Sequence, residues 1–72
     1  MKFDTHETDI YILPETQRER HILQVYKDNL KQNKNITSFW QFSNVKGQNW
    51  EGKQFLEIPF CKHLKNEILS LI

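Results

Sequence analysis

The hydrophobic positions of this chain are grouped first as a short cluster and then at helical spacing. Residues 10–13 (Ile-Tyr-Ile-Leu) form an apolar run rich in β-branched and aromatic side chains, and Pro14 stops it. This pattern predicts a buried strand. The preceding residues, 1–9, are polar and acidic, which predicts a loosely ordered start.

A helix is predicted over residues 16–32. Thr16 and Glu19 have the spacing of a capping box, in which a threonine caps the first turn and a glutamate reaches back. Apolar residues then recur at helical spacing and give the helix one apolar stripe, which consists of Ile22, Leu23, Tyr26 and Leu30. A polar run follows and ends the helix.

The second half of the chain predicts a hairpin and another helix. Residues 36–44 and 55–58 have strand composition, and Gly47 and Gly52 between them are turn signals. After Pro59, apolar residues recur every four positions, as expected for an amphipathic helix: Phe60, Leu64, Ile68 and Ile72.

These elements predict one α+β domain over residues 1–72, with the order β-α-β-β-α. An antiparallel hairpin belongs to a small sheet, and two amphipathic helices packed on one face of that sheet would form two layers. The apolar residues Leu71 and Ile72 either pack on the sheet or contact a second copy, so a homodimer is one prediction.

Length and cysteine content narrow the class of protein. A 72-residue chain buries only about 60% of its unfolded surface and is often stabilised by a disulfide, a metal or oligomerisation. Cys61 is the single cysteine, so an internal disulfide is excluded and a reducing cytosol is favoured. No apolar run approaches the ~20 residues of a membrane span, and no signal-peptide core is visible, so a soluble cytoplasmic protein is predicted.

The chain contains no alanine and is rich in lysine, asparagine, glutamine and isoleucine. Such usage would suit an AT-rich coding sequence, which is common in low-GC bacteria and in their phages and plasmids. A phage or other mobile-element origin is therefore a hypothesis about source that leaves the function open.

Candidate chemistry is sparse. Cys61 and His63 are two positions apart and His6 lies among acidic residues, which gives none of the paired spacings of zinc sites. Cys61 lies near the start of a predicted helix, whose dipole would lower the pKa of the thiol, and Lys62 and His63 are close in sequence, but nothing else in the sequence indicates a catalytic pocket. No glycine-rich phosphate loop is present. The sequence predicts no catalytic residue, no metal and no cofactor.

Six of the nine aromatic residues fall between Phe39 and Phe60. Four phenylalanines lie on predicted strands or on the helical stripe, where core packing explains them: Phe39, Phe42, Phe55 and Phe60. Trp40 could face either way.

Trp50 lies between two glycines in a turn-rich loop, a place for presentation of a side chain to a partner. A partner-binding site is therefore predicted, which comprises Trp40, Lys46, Trp50 and Lys53. The alternative is that Trp50 folds back as a lid over the core.

The formal net charge is only +1, but the charges are segregated. Residues 1–17 hold four acidic residues and one lysine, whereas residues 18–34 hold five basic and two acidic residues. These basic residues lie on the predicted helix and are a possible phosphate-binding set: Arg18, Arg20, Lys27, Lys31 and Lys34. The alternative is a solvated helix face.

Two short segments resemble a known family. Residues 10–12 resemble the first-strand motif of RNA-recognition-motif domains, and residues 52–58 resemble their longer motif. The predicted element order is similar to the first five elements of that family, which implies base stacking on sheet aromatics. Lys53 stands where the family has an aromatic residue and the final strand is missing, so no membership is assigned.

Together, these features predict a small non-catalytic binding protein, an accessory or inhibitory factor that acts on a larger protein partner through an aromatic loop and sheet surface. The alternative is a nucleic-acid-binding protein that uses the basic helix and the sheet aromatics.

Overall fold

The computed structural model describes residues 1–42, 50 and 52–72. In this part of the chain, a four-stranded antiparallel sheet and two helices confirm the α+β class. In chain order the elements are β1 (Lys2–His6), β2 (Asp9–Leu13), α1 (Gln17–Lys34), β3 (Phe39–Gln41), β4 (Phe55–Ile58), a 3₁₀ turn (Lys62–Leu64) and α2 (Lys65–Leu69). None of the helices described combines the length and apolar character that crossing a membrane requires.

The first strand differs from the expected loosely ordered start. β1 pairs with β2 over its full length, from Lys2 opposite Leu13 to His6 opposite Asp9, and the sheet order is β1-β2-β4-β3. The sequence does not indicate this strand, because only Phe3 in it is apolar. Charged residues are common on edge strands, where they discourage pairing with other chains.

The larger core cluster joins residues of both helices to residues on one face of the sheet. Side chains alternate between the two faces of a strand, so Ile10 and Ile12 of β2 share this face with Leu56 and Ile58 of β4. The rest of this core comes from α1, α2 and the segment that leads into α2: Leu23, Tyr26, Leu30, Cys61, Leu64 and Ile68.

A second, smaller cluster covers the opposite face. Tyr11 and Leu13 of β2 pack there with Phe55 of β4 and with Trp50. The rings of Tyr11 and Phe55 meet edge to face, with centroids 5.8 Å apart. This part of the sheet is therefore buried on both faces.

The helix predicted over residues 16–32 is observed as α1, Gln17–Lys34. The Thr16 hydroxyl accepts a hydrogen bond from the Glu19 N–H at 3.1 Å, as the capping motif predicts. The Glu19 carboxylate accepts from the N–H of Glu15 at 2.9 Å. Asn35 ends the helix in the left-handed conformation, with φ 54°.

Two other elements are shorter than predicted. The strand expected over residues 36–44 is observed only at Phe39–Gln41, and residues 43 and 44 lie outside the described part. The C-terminal repeat yields only the 3₁₀ turn and α2, because Phe60 has a φ of 62° and cannot start a right-handed helix. Leu64 and Ile68 are buried, whereas Ile72 is exposed.

Candidate functional site

The predicted aromatic loop does not present Trp50. Trp50 is only 7% exposed, and its indole packs against Phe55 on the sheet face away from the helices. The expectation that this ring is offered to a partner is therefore wrong, and the lid alternative describes its position better. Lys53 is exposed, and its N–H donates to the Trp50 carbonyl at 3.0 Å across Gly52, whose φ is 76°. Lys46 lies outside the described residues.

Trp40 lies half-buried against α1. Its indole N–H donates to Gln24 Oε1 at 2.9 Å, and the Arg20 guanidinium lies 4.4 Å from the ring centroid. This geometry is a cation–π contact between helix and sheet. Trp40 thus connects β3 to α1, and its indole N–H is already hydrogen-bonded within the fold.

Three of the four phenylalanines that were expected in the core are exposed. Phe55 is buried as predicted, but Phe39, Phe42 and Phe60 are 46%, 64% and 77% exposed. Phe39 shares the face away from the helices, beside Glu57 of β4, Phe42 follows the end of β3, and Phe60 lies in a turn. None of these places is covered by either helix.

An apolar groove runs along α1 where the residues after α2 approach it. It has a volume of about 420 Å³, and its apolar walls are Ile22, Val25 and Leu71, with Tyr26 beside them. Val25 is 55% exposed. The polar lining residues are His21, Asn29 and Glu67.

Burial raises the pKa of the Tyr26 hydroxyl, and the negative charge of Glu67 adds to this effect. The Glu67 carboxylate also lies 3.7 Å from the Lys34 ammonium, so opposite charges meet near the groove. The groove has an apolar centre and a mixed, nearly neutral rim, which is the arrangement of protein interfaces.

The basic residues of α1 divide into two sets. Arg20, Lys27, Lys31 and Lys34 recur at helical spacing along one side, whereas Arg18 lies two positions before Arg20 and faces elsewhere. Arg20 is engaged by Trp40 and Lys34 by Glu67. Lys27 and Lys31 make no ion pair with any residue that the structure describes.

The sheet face away from the helices is acidic around its aromatics. Burial raises the pKa of Tyr11, and the carboxylates of Glu57, Asp9 and Asp4 raise it further. Gln41 Nε2 also donates to Glu57 at 3.2 Å. Phosphates of a stacked nucleic acid would meet these negative charges, which disfavours base stacking on this face.

Cys61 is buried at the start of the 3₁₀ turn. Burial raises the pKa of its thiol, and Asp9 raises it further, so the predicted lowering by a helix dipole is wrong. The raised pKa favours the protonated, unreactive form. In the described ranges, no three histidine, cysteine, aspartate or glutamate side chains are grouped so as to hold a metal ion.

Two turns contact each other at one end of the central strands, β2 and β4. The Phe60 N–H donates to Asp9 Oδ1 at 3.0 Å, and the Lys62 N–H donates to the Thr8 carbonyl at 3.0 Å.

Two of the exposed apolar side chains differ from the sequence predictions. The sequence pattern placed Phe60 in a helix and did not indicate that Val25 is exposed. The usable signals were Pro59, which favours a turn at the next residue, and the position of Val25 outside the predicted stripe.

No protein-family model matches the chain, and no match was found among curated proteins or solved structures. RNA-recognition-motif domains stack bases on a four-stranded sheet. This chain differs from that family in two respects. Its fourth strand is β1, which comes before the other elements in the chain, and its sheet aromatic Phe55 is covered by Trp50.

Proposed function

We propose that this chain is a small non-catalytic protein-binding domain, an accessory or inhibitory factor that acts by occupying a surface of a larger protein. The observation that carries the proposal is the groove beside α1, with Ile22, Val25 and Leu71 as its apolar walls. This groove takes the place of the aromatic loop as the main contact surface. The single cysteine suits a reducing cytoplasm, where we propose that the domain works.

The groove suits a protein ligand for two physical reasons. Full burial of one aliphatic side chain contributes about 1.5–3 kcal/mol. Val25 and Leu71 are 55% and 41% exposed, so covering both contributes roughly this amount once, a part of the about 8 kcal/mol of a micromolar affinity. The rim carries Glu67 and the polar groups of His21 and Asn29, which offer hydrogen bonds without a strong field of one sign.

The test is a pair of charge variants on different sides of α1. Val25→Glu places a carboxylate in the groove, and Lys31→Glu changes the basic side. We expect proteins that co-purify with the wild-type domain to be retained by K31E and lost with V25E, with both variants folded as judged by circular dichroism. Equal retention by V25E would contradict the proposal.

A second candidate function rests on Lys27 and Lys31, which lie on one side of α1 and are available for phosphate contacts. Oligonucleotide titration at low and moderate salt tests it. Binding that falls steeply with salt, and that K31E weakens while V25E does not, would favour this function over the first. No binding at low salt would eliminate it.

A homodimer remains a further proposal, because a second copy could also cover the groove. Sedimentation equilibrium over a hundredfold concentration range measures self-association directly. If the wild-type domain dimerises and V25E is monomeric, the groove is the dimer interface. If both are monomeric, the proposed ligand is a different protein.

A further inference from the structure

Backbone strain is concentrated in the two contacting turns, residues 7–9 and 59–62, here called the turn pair. Three non-glycine residues in the described chain have positive φ. Asn35 is one of them, and its role as the C-cap of α1 accounts for it. The other two are Glu7, with φ 57°, and Phe60, with φ 62°, and both lie in the turn pair.

Phe60 is an unusual residue for its position. Pro59 followed by a positive φ is the pattern of a type II turn, whose third residue is normally glycine or asparagine. A bulky side chain in this region of backbone space is a genuine outlier. The ring is also 77% exposed, so its burial contributes little to folding. Neither local conformation nor core packing explains the phenylalanine.

The surrounding structure fixes the backbone that carries the ring. The Asp9 carboxylate accepts from the Phe60 N–H, and the Thr8 carbonyl accepts from the Lys62 N–H, so each side of the turn is fixed to the β1–β2 connection. The backbone that carries the ring is therefore ordered before any partner arrives. An aromatic side chain with only two rotatable bonds, carried on a fixed backbone, loses little conformational entropy on binding.

We propose that Phe60 is an anchor residue that inserts into an apolar pocket of a protein partner. This inference rests on the proposed protein-binding function and adds a second contact, separate from the groove at Val25. Strained residues that the surrounding structure enforces occur preferentially at functional sites, and buried aromatics dominate interface energies.

A protein pocket fits this geometry better than a membrane surface. Peripheral membrane binding needs a broad apolar face or two separate signals, whereas the turn pair offers one ring. The turn pair carries two carboxylates, Glu7 and Asp9, against one ammonium, Lys62, so its charge does not favour anionic lipid headgroups. A shaped pocket needs only one well-oriented ring.

Site-specific photocrosslinking tests the contact. Phe60→p-benzoylphenylalanine is compared with the same replacement at Phe42, which is also exposed but lies outside the turn pair. Illumination of cells that produce the protein should give a discrete protein adduct at position 60 and not at position 42. Adducts of equal yield at both positions, or none at position 60, would overturn the proposal, as would tight binding to vesicles containing 30% phosphatidylserine.

The partner identified by crosslinking is then purified and titrated with Phe60→Gly, Phe42→Gly and Val25→Glu. We expect F60G to weaken binding at least tenfold without lowering Tm, and F42G to change affinity less than threefold. Loss of binding in V25E with full binding by F60G would refute the anchor and leave the proposed function standing. Absence of any protein bound by the wild-type domain would refute the function itself.

Discussion

The indole of Trp50 is inclined at 58° to the ring of Phe55, with 5.6 Å between the ring centroids. The pair lies on the sheet face opposite the helices and completes a cluster with Tyr11 and Leu13. Trp50, which the sequence predicts to contact a partner, is therefore packed within the fold. The sheet gains a covered second face from it.

Trp50→Ala should destabilise the domain strongly. Removal of a buried tryptophan typically costs about 3–5 kcal/mol, which is a large part of the stability of a small domain. Urea denaturation followed by circular dichroism measures the free energy of unfolding. Phe42→Ala is the matched control, and we expect it to change stability by less than about 0.5 kcal/mol because Phe42 is exposed. Similar small losses in both variants would contradict the assigned packing of Trp50.

Asp9→Ala should loosen the turn pair. The lost hydrogen bond from the Phe60 N–H is expected to cost about 1 kcal/mol. Asp9→Asn retains an oxygen acceptor at the same position and should recover most of that stability. The measurement is urea denaturation of the two variants beside the wild type. Equal loss in D9A and D9N would show that the charge of Asp9, and not its acceptor oxygen, stabilises the turn.

The stability contributed by Glu19 should depend on pH. The carboxylate of Glu19 accepts hydrogen bonds from the N–H of Glu15 and from the Met1 amino group. Because these bonds favour the ionised form, the pKa of Glu19 lies below its ordinary value of 4.5. A lowered pKa in the folded state means that this stabilisation is present above pH 4.5 and is lost as pH falls through the lowered value.

Glu19→Gln removes that ionisation. The difference in unfolding free energy between wild type and E19Q should be largest near pH 7 and should shrink as the pH falls below 4.5 towards acid. Thermal or urea denaturation at a series of pH values at constant ionic strength measures it. A difference that stays constant over the whole range would contradict the ionic contribution.

Short-range sequence patterns correctly predicted the elements whose formation depends on nearby residues. The Thr16 cap, the apolar stripe of α1 and the strands ended by Pro14 and Pro59 depend on neighbours a few positions apart, and each is present. β1 depends instead on pairing with β2, which a polar sequence does not announce. This hairpin is local, but its turn, Glu7-Thr8, contains none of the glycine or asparagine residues that signal a two-residue turn, and this explains the largest difference in the fold.

The candidate site was harder to predict, because exposure is a tertiary property. Phe60 continues a perfect four-residue repeat with Leu64 and Ile68, yet Pro59 and the contact to Asp9 turn the backbone away from a helix. Trp50 has the flanking glycines of a presented loop, but Phe55 offers it a surface on the uncovered sheet face. Neither outcome follows from spacing alone.

The central claim is that the chain retains an exposed ring at Phe60 at the expense of folding stability. The measurement is the unfolding free energy of Phe60→Gly and Phe60→Ala by urea denaturation. Relief of a left-handed backbone is worth about 1–2 kcal/mol, and the extra freedom of glycine in the unfolded chain offsets roughly half of it. We predict that F60G is more stable than wild type by roughly 0.5–1 kcal/mol and that F60A is not. An F60G variant less stable than wild type would mean that the ring stabilises the fold, and it would contradict the claim.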